Sequence, residues 1–398
     1  MPRILAIEST CDETAAAVVE DGWRVLSNVV ATQVDLHAKY RGVVPEIASR
    51  AHIENILSVI REAIVFTPSP DGEGSHNTLN RDSGRTDGIL SSASLFSGPH
   101  PNPLPAYRER EPEISAIAVA HRPGLVGSLL VGVTAAKTLA WALGKPLIGI
   151  DHVHAHLYSV VLDRNEHPSM PAIGLVCSGG HTALYLVRSW TDVTLIGSTI
   201  DDAVGEAYDK VAAILGLGYP GGPYIDRLAA TGDPKAIDFP RPLLGRDSLD
   251  FSFSGLKTSV LYAVRGVPTK DGPSVRDPAN IPPPPTGQHL ADLCASFQQA
   301  CVDVIVKKLK RAADRFDAKS IIIGGGVSAN RGLRAALNVA PDSGAGVSHV
   351  LRLPVYFPPL KYCTDNAAMS GGLAHVYYEL GRFSELSLDA ITHSQFAR

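Results

Sequence analysis

One pattern, repeated once in each half of the chain, constrains the fold more than any other feature. In "ILAIESTCDETAAAVV", residues 4–7 read as a short apolar strand and residues 15–19 as its return partner, with a small polar turn between them. In "AIGLVCSGGHTALYLV", residues 173–176 and 183–187 read the same way around "CSGGHT". This strand, turn and strand is a weak internal repeat. Turns of small polar residues leave backbone N–H groups where an anion can be held. Two such hairpins facing each other across a cleft would grip a nucleotide's phosphates from both sides. A third unit, "KSIIIGGGVSANRGLRAAL", reads as a buried strand over residues 321–323, a sharp turn and a helix. Gly324, Gly325 and Gly326 would let the chain turn and a ligand come close. Ser328 and Asn330 are candidate caps or ligand contacts. The unit lacks the G-x-x-x-x-G-K-[ST] pattern of a P-loop.

The rest of the chain alternates strand-like and helix-like pieces. With 398 residues, 45% of them hydrophobic, it is long enough for two domains. Two segments interrupt this texture. Residues 67–113 are rich in Pro, Gly, Ser, Asn and Asp, and residues 265–289 end in a proline run. Neither has the apolar content to offset its ordering entropy, so both read as insertions looped out of a compact body. The most apolar run, residues 128–150, is broken by Lys137 and Lys145 and reads as a buried helix followed by a buried strand. The first residues run straight into a strand without a secretory h-region, so no membrane and a cytoplasmic location are expected. Five scattered cysteines suggest no disulfide framework.

In "GIDHVHAHLYSV", His152 and His156 are four residues apart. On a helix both imidazoles lie on one face, where they either hold one metal ion or form a hydrogen-bonded pair lining a cleft. His154 would point away. A zinc peptidase of the H-E-x-x-H type needs a glutamate after the first histidine; Val153 stands there, and no carboxylate lies between the pair. A third ligand must come from elsewhere, and "YCTDNAAMSG" offers Asp365. Two histidines and one carboxylate with open positions suit iron(II) or zinc.

"VVPEIASRAH", "PGLVGSLLVG", "DDAVGEAYDKVAAILGLGYPGGP", "FSFSGLKT", "GGGVSANRGLR" and "YCTDNAAM" occur in order with the two hairpins. Together they resemble the tRNA N6-adenosine threonylcarbamoyltransferase family, once described as O-sialoglycoprotein endopeptidases. The resemblance covers nearly the whole chain apart from the two insertions. It implies an α/β, two-lobed fold of the actin, sugar-kinase and Hsp70 ATPase type with a nucleotide cleft between the lobes. The first lobe would be residues 1–147 completed by 368–398, the second residues 148–367. It implies transfer of a threonylcarbamoyl group from threonylcarbamoyl-AMP to N6 of the adenosine 3′ of the anticodon, in tRNAs reading codons that begin with adenine, with release of AMP.

The resemblance further implies metal ligands at His152, His156 and Asp365, with iron(II) the usual ion and zinc possible. It implies substrate contacts at Val176, Cys177, Ser178, Gly179, Gly180, Asp209, Gly222, Asp226 and Asn330. Asp12 and Glu13, in the first turn, would face the reaction centre and orient the incoming amine or take its proton; alternatively they merely shape the turn. Lys257 is either a cleft-lining cation or a solvated helix charge. Three positions depart from the family pattern: Arg122 replaces a glycine, the glycine string is one longer, and His154 replaces a glutamate.

The net charge of −4 argues against a protein that wraps nucleic acid alone. Local basic clusters are residues 307–315, residues 37–41, and Arg331 with Arg334. Lys307, Lys308, Lys310 and Arg311 read as a solvated helix face. The resemblance implies tRNA as partner, with a paralogous actin-like subunit and, in bacteria, a small accessory ATPase. Three other readings remain: an ATPase or kinase of the same fold without a tRNA role, a non-catalytic scaffold, and a metallopeptidase.

Overall fold

The computed structural model describes residues 1–40, 42–65, 113–164, 166–243, 245, 247–266, 283–340 and 344–394. Of the two expected insertions, the first lies outside these residues except for Glu113, as do residues 267–282 of the second.

Two mixed sheets organise the chain. In the first, β1 (Arg3–Glu8), β2 (Glu13–Glu20) and β3 (Arg24–Thr32) form an antiparallel meander; β4 (Ala116–Arg122) joins β1 in parallel and β5 (Leu147–Asp151) joins β4. In the second, β6 (Ala172–Cys177), β7 (Thr182–Ser189) and β8 (Asp192–Ser198) form the same meander; β9 (Ser320–Gly324) pairs with β6 in parallel and β11 (Leu353–Tyr356) pairs with β9. β10 (Ala345–Ser348) extends that edge. The repeat hinted at by the hairpins therefore runs through five strands of each sheet, with matching order and direction. Both hairpins form where expected, in registers Ile4↔Val19 and Ile173↔Leu186.

Helices cover the sheets in layers. α2 (Pro45–Val65) and α3 (Val126–Leu143) cover one face of the first sheet through Leu5, Ile7, Ile60 and Val133. α5 (Val204–Ile214), α6 (Gly221–Ala229), α7 (Ser254–Arg265) and α8 (Gly287–Phe316) belong to the helical side of the second, with Ile321, Ile323, Phe251 and Phe297 in that core. A third core lies between the sheets. It contains α4 (His152–Tyr158) and α10 (Ala367–Glu379), with Ile4, Ala17, Val176 and Ile322 around Leu157 and Met369. Short α1 (Val34–Ala38) precedes α2, and α9 (Arg331–Ala336) follows the glycine turn.

The apolar run at 128–150 does become α3 and β5, and the helix ends at Gly144, whose φ of 62° suits glycine. The expectation of a fully buried helix is corrected. α3 is half-buried, leaving Leu130 and Trp141 exposed while Leu129, Val133 and Ala136 face the core. By length and composition α3 could cross a membrane; here it packs on β4 and α2.

Candidate functional site

The site is assembled where the middle core reaches the turn after β1. β5 delivers the chain to Asp151, whose Oδ1 accepts hydrogen bonds from Val153 N at 3.0 Å and His154 N at 3.2 Å. That N-cap starts α4, and all seven α4 residues are buried. Asp365 arrives from the far end of the chain, just before α10. Its neighbour Asn366 caps that helix by accepting from Met369 N. Buried Arg334 steadies the approach to Asp365: it donates to the carbonyls of Ser328 and Pro358 and lies over the Phe357 ring.

His152, His156 and Asp365 come together. Asp365 Oδ1 is 3.0 Å from His156 Nε2 and 3.5 Å from His152 Nε2, and the imidazole rings meet edge to face. One donor atom from each of the three lies within 4.8 Å of the others, so the trio can hold a metal ion. The fit is supported from behind. Nδ1 of His152 is 3.2 Å from both Glu8 Oε2 and Thr10 Oγ1, which leaves Nε2 for a ligand on the Asp365 side. Burial opposes the charge on Asp365, yet the neighbouring His152 and His156 hold its carboxyl well below the usual range. Burial alone pushes His154 down to about 3, and it takes no part in the triangle.

The first turn borders the triangle with acid. Burial, then Asp12, Asp365 and Glu8, raise Glu13 well above the ordinary carboxyl value. The turn is pinned from outside: Leu125 N donates to Thr10 O, Gln33 N to Asp12 O and His52 Nε2 to Cys11 O. The second turn comes to the same place. Burial and then the charges of His152 and His156 push its His181 down to about 4. In that turn Val176 and Cys177 are wholly buried in β6, whereas Gly179 and Gly180 are exposed with open space around them.

Of the remaining expected substrate residues, Asp209 lies within α5 and Asp226 within α6, whereas Gly222 and Asn330 stand at the starts of α6 and α9. Asp209 Oδ1 accepts from Gly221 N at 2.6 Å at the start of α6; burial raises its carboxyl. Gly222 faces open space. Asp226 accepts a backbone hydrogen bond from Arg331 N and forms an ion pair with Arg331 Nε. Asn330 caps α9 through Leu333 N and donates to Gln298 Oε1. Asp226, Gln298 and Arg331 line a cavity of about 300 Å3.

A sequence profile of the tRNA N6-adenosine threonylcarbamoyltransferase family matches residues 24–67 and 109–372. The chain belongs to that family. A family relative from Moorella thermoacetica is 45% identical over 394 residues, spanning 98% of this chain and 96% of the relative. One from Syntrophotalea carbinolica is 42% identical over 387 residues, spanning 97% and 95%. Both relatives bear the name tRNA N6-adenosine threonylcarbamoyltransferase. Among solved structures, HypF of T. kodakarensis matches with a TM-score of 0.52 at 15% identity, over 95% of this chain and 48% of that one. At that identity the likeness shows the fold alone, which is the two-lobed actin, sugar-kinase and Hsp70 ATPase type. As a member of the threonylcarbamoyltransferase family the chain is an enzyme, an acyltransferase that modifies tRNA.

The expected tRNA-facing basic clusters fare poorly in this family member. Lys308 is buried, with Nζ donating to the carbonyls of Leu243 and Ser248, and Arg311 donates to Gly245 and Ser248. The solvated-face reading is thus corrected for both. Arg334 is buried, Arg331 is engaged by Asp226, and His37 is buried against Gln33. Lys257 does not stand free; it pairs with Asp202 at 2.9 Å. Sequence reading missed Glu8, His52, His181 and Tyr219. Tyr219 is half-buried just before α6, and burial together with Asp12 and with Asp209 of α5 raises its phenol. For Glu8 a signal existed: an acid at the end of a strand otherwise buried on both faces.

Proposed function

We propose that this chain transfers a threonylcarbamoyl group from threonylcarbamoyl-AMP to N6 of the adenosine 3′ of the anticodon, in tRNAs reading codons that begin with adenine. The observation that carries this reading is the meeting of His152, His156 and Asp365 beside an acid-lined turn, in a chain of this family. In the reaction N6 attacks the donor's carbonyl carbon. The bond from that carbon to the phosphate oxygen breaks, AMP leaves with the electron pair, and N6 gives up one proton. An adenosine amine is a weak nucleophile, so positioning and charge stabilisation matter more than a strong base. Asp12 and Glu13, in the acid-lined turn, are the groups to orient the amine or take its proton.

His152, His156 and Asp365 would hold a divalent cation, iron(II) or zinc, which would supply Lewis-acid chemistry to the donor. Ser178, Gly179 and Gly180 offer backbone to the acyl-adenylate, with Val176 and Cys177 contributing through the main chain alone. Asp209, Gly222, Asp226 and Asn330 surround the nucleoside. The division into lobes follows the resemblance: 1–147 with 368–398, and 148–367. With a net charge of −4, tRNA binding rests on partners, a paralogous actin-like subunit and a small accessory ATPase, in the cytoplasm.

The test supplies purified chain, partner subunits, the adenylate donor and tRNA, then measures threonylcarbamoyladenosine in digested tRNA by mass spectrometry. Wild type forms the product and elemental analysis finds bound iron or zinc. Asp365→Ala and His156→Ala lose about 100-fold or more in rate. Full activity in both variants would overturn the reading.

A further inference from the structure

Glu8 is a carboxyl group in a place that substrate cannot reach. It is 0% exposed at the end of β1, behind the His152 ring as seen from Asp365. Three groups surround it. Oε1 accepts from Thr10 N at 3.0 Å, and Oε2 lies 3.2 Å from His152 Nδ1 and 3.3 Å from Ser370 Oγ of α10. A buried carboxylate is costly unless a partner compensates it. An imidazole that donates Nδ1–H to Glu8 has its Nε2 lone pair on the side of Asp365. The two metal-facing histidines differ in this support: Nδ1 of His156 is buried with no hydrogen-bond partner among the described residues.

We infer that Glu8 is the positioning residue of the metal site: it fixes the ring and tautomer of His152 and so sets the affinity for the divalent cation. The inference rests on the metal reading proposed above. Charge balance favours it, since a divalent cation in the triangle meets Asp365 directly and Glu8 through the ring. Glu8 does not touch the reacting atoms. It also ties β1, α4 and α10 together, so the cation's seat depends on three segments far apart in sequence.

Glu8→Gln keeps the volume but changes the donor pattern. Its carboxamide oxygen takes over the bond from Thr10 N, and its NH2 then faces His152 Nδ1. That forces the proton to Nε2, where a metal must bind. The experiment measures zinc and cobalt(II) affinity of the metal-free full-length protein by chelator competition, with the visible spectrum of the cobalt form and the melting temperature of the metal-free form. Glu8→Gln binds about 10–100-fold more weakly, with an altered cobalt spectrum and a metal-free melting temperature close to wild type. Unchanged affinity and spectrum overturn the inference. If Glu8→Gln does not fold, Glu8→Asp decides: its carboxylate is drawn back by one methylene, and wild-type affinity there equally overturns it. A wild-type protein that binds neither ion sinks the metal reading itself; normal wild-type binding with indifferent variants sinks this inference alone.

Discussion

Lys308 places an ammonium group at a fully buried position on α8, donating at 2.7 Å to the carbonyls of Leu243 and Ser248. Burial, then the nearby Arg311 charge, push its pKa from 10.5 down to about 8. Below about pH 8 both folded and unfolded chains carry the proton. Between there and about 10.4 the unfolded chain holds it and the folded chain has lost it, so stability rises with pH. Lys308→Met removes that rise and strands the Leu243 carbonyl, while the Ser248 carbonyl keeps Arg311, at a cost of about 1–3 kcal/mol near neutrality. Urea unfolding of both proteins at several pH values measures both effects; parallel curves would refute the assignment. The "KKLKR" run reads as solvent-facing because four cations stand in five positions. Yet Ala300, Val304, Lys308 and Ala312, all buried, step by four along one helical stripe, and that spacing was legible.

The glycine turn after β9 shows what local reading of an element gets right and what it misses. The strand and its sharp turn were legible, since three glycines after an apolar run leave few alternatives. Their separate reasons were not. A Cβ on Gly324 would stand 2.2 Å from the His156 carbonyl oxygen. Gly325, at φ 88° and ψ 164°, occupies a region open in practice to glycine alone, and its Cβ would meet the Cys177 carbonyl oxygen at 2.4 Å. Gly326 faces nothing within 4 Å. Only the third glycine therefore leaves room for a ligand; the first two let β9 close against α4 and β6. Those partners lie far away in sequence, where no local pattern reports them. Gly325→Ala should cost at least about 1–3 kcal/mol of unfolding free energy. Gly326→Ala should stay within about 0.5 kcal/mol of wild type. Equal midpoints for the two in denaturant would contradict this division.

At the level of the whole molecule, the candidate metal site joins α4 to the approach to α10 between the two sheets. Its histidines were legible from their four-residue spacing. Asp365 was suggested by its motif, and the one signal for Glu8, an acid ending an apolar strand, does not name its partner. A cation bound there stabilises the folded chain by RT ln(1 + [M]/Kd), about 2.7 kcal/mol at a concentration 100 times Kd. Calorimetry should show the melting temperature of wild type rising with added zinc and falling with chelator. Asp365→Ala should be indifferent to both. An equal rise in the variant would mean the ion binds elsewhere.

Asp365 lies 209 positions after His156, and this separation has a consequence for synthesis. A ribosome adding about 5–20 residues each second needs about 10–40 s to travel that far. Throughout that interval the imidazoles are already translated while their acid is not. The candidate site therefore cannot be complete until that whole stretch has been made, and a cation could meet all three groups only after it.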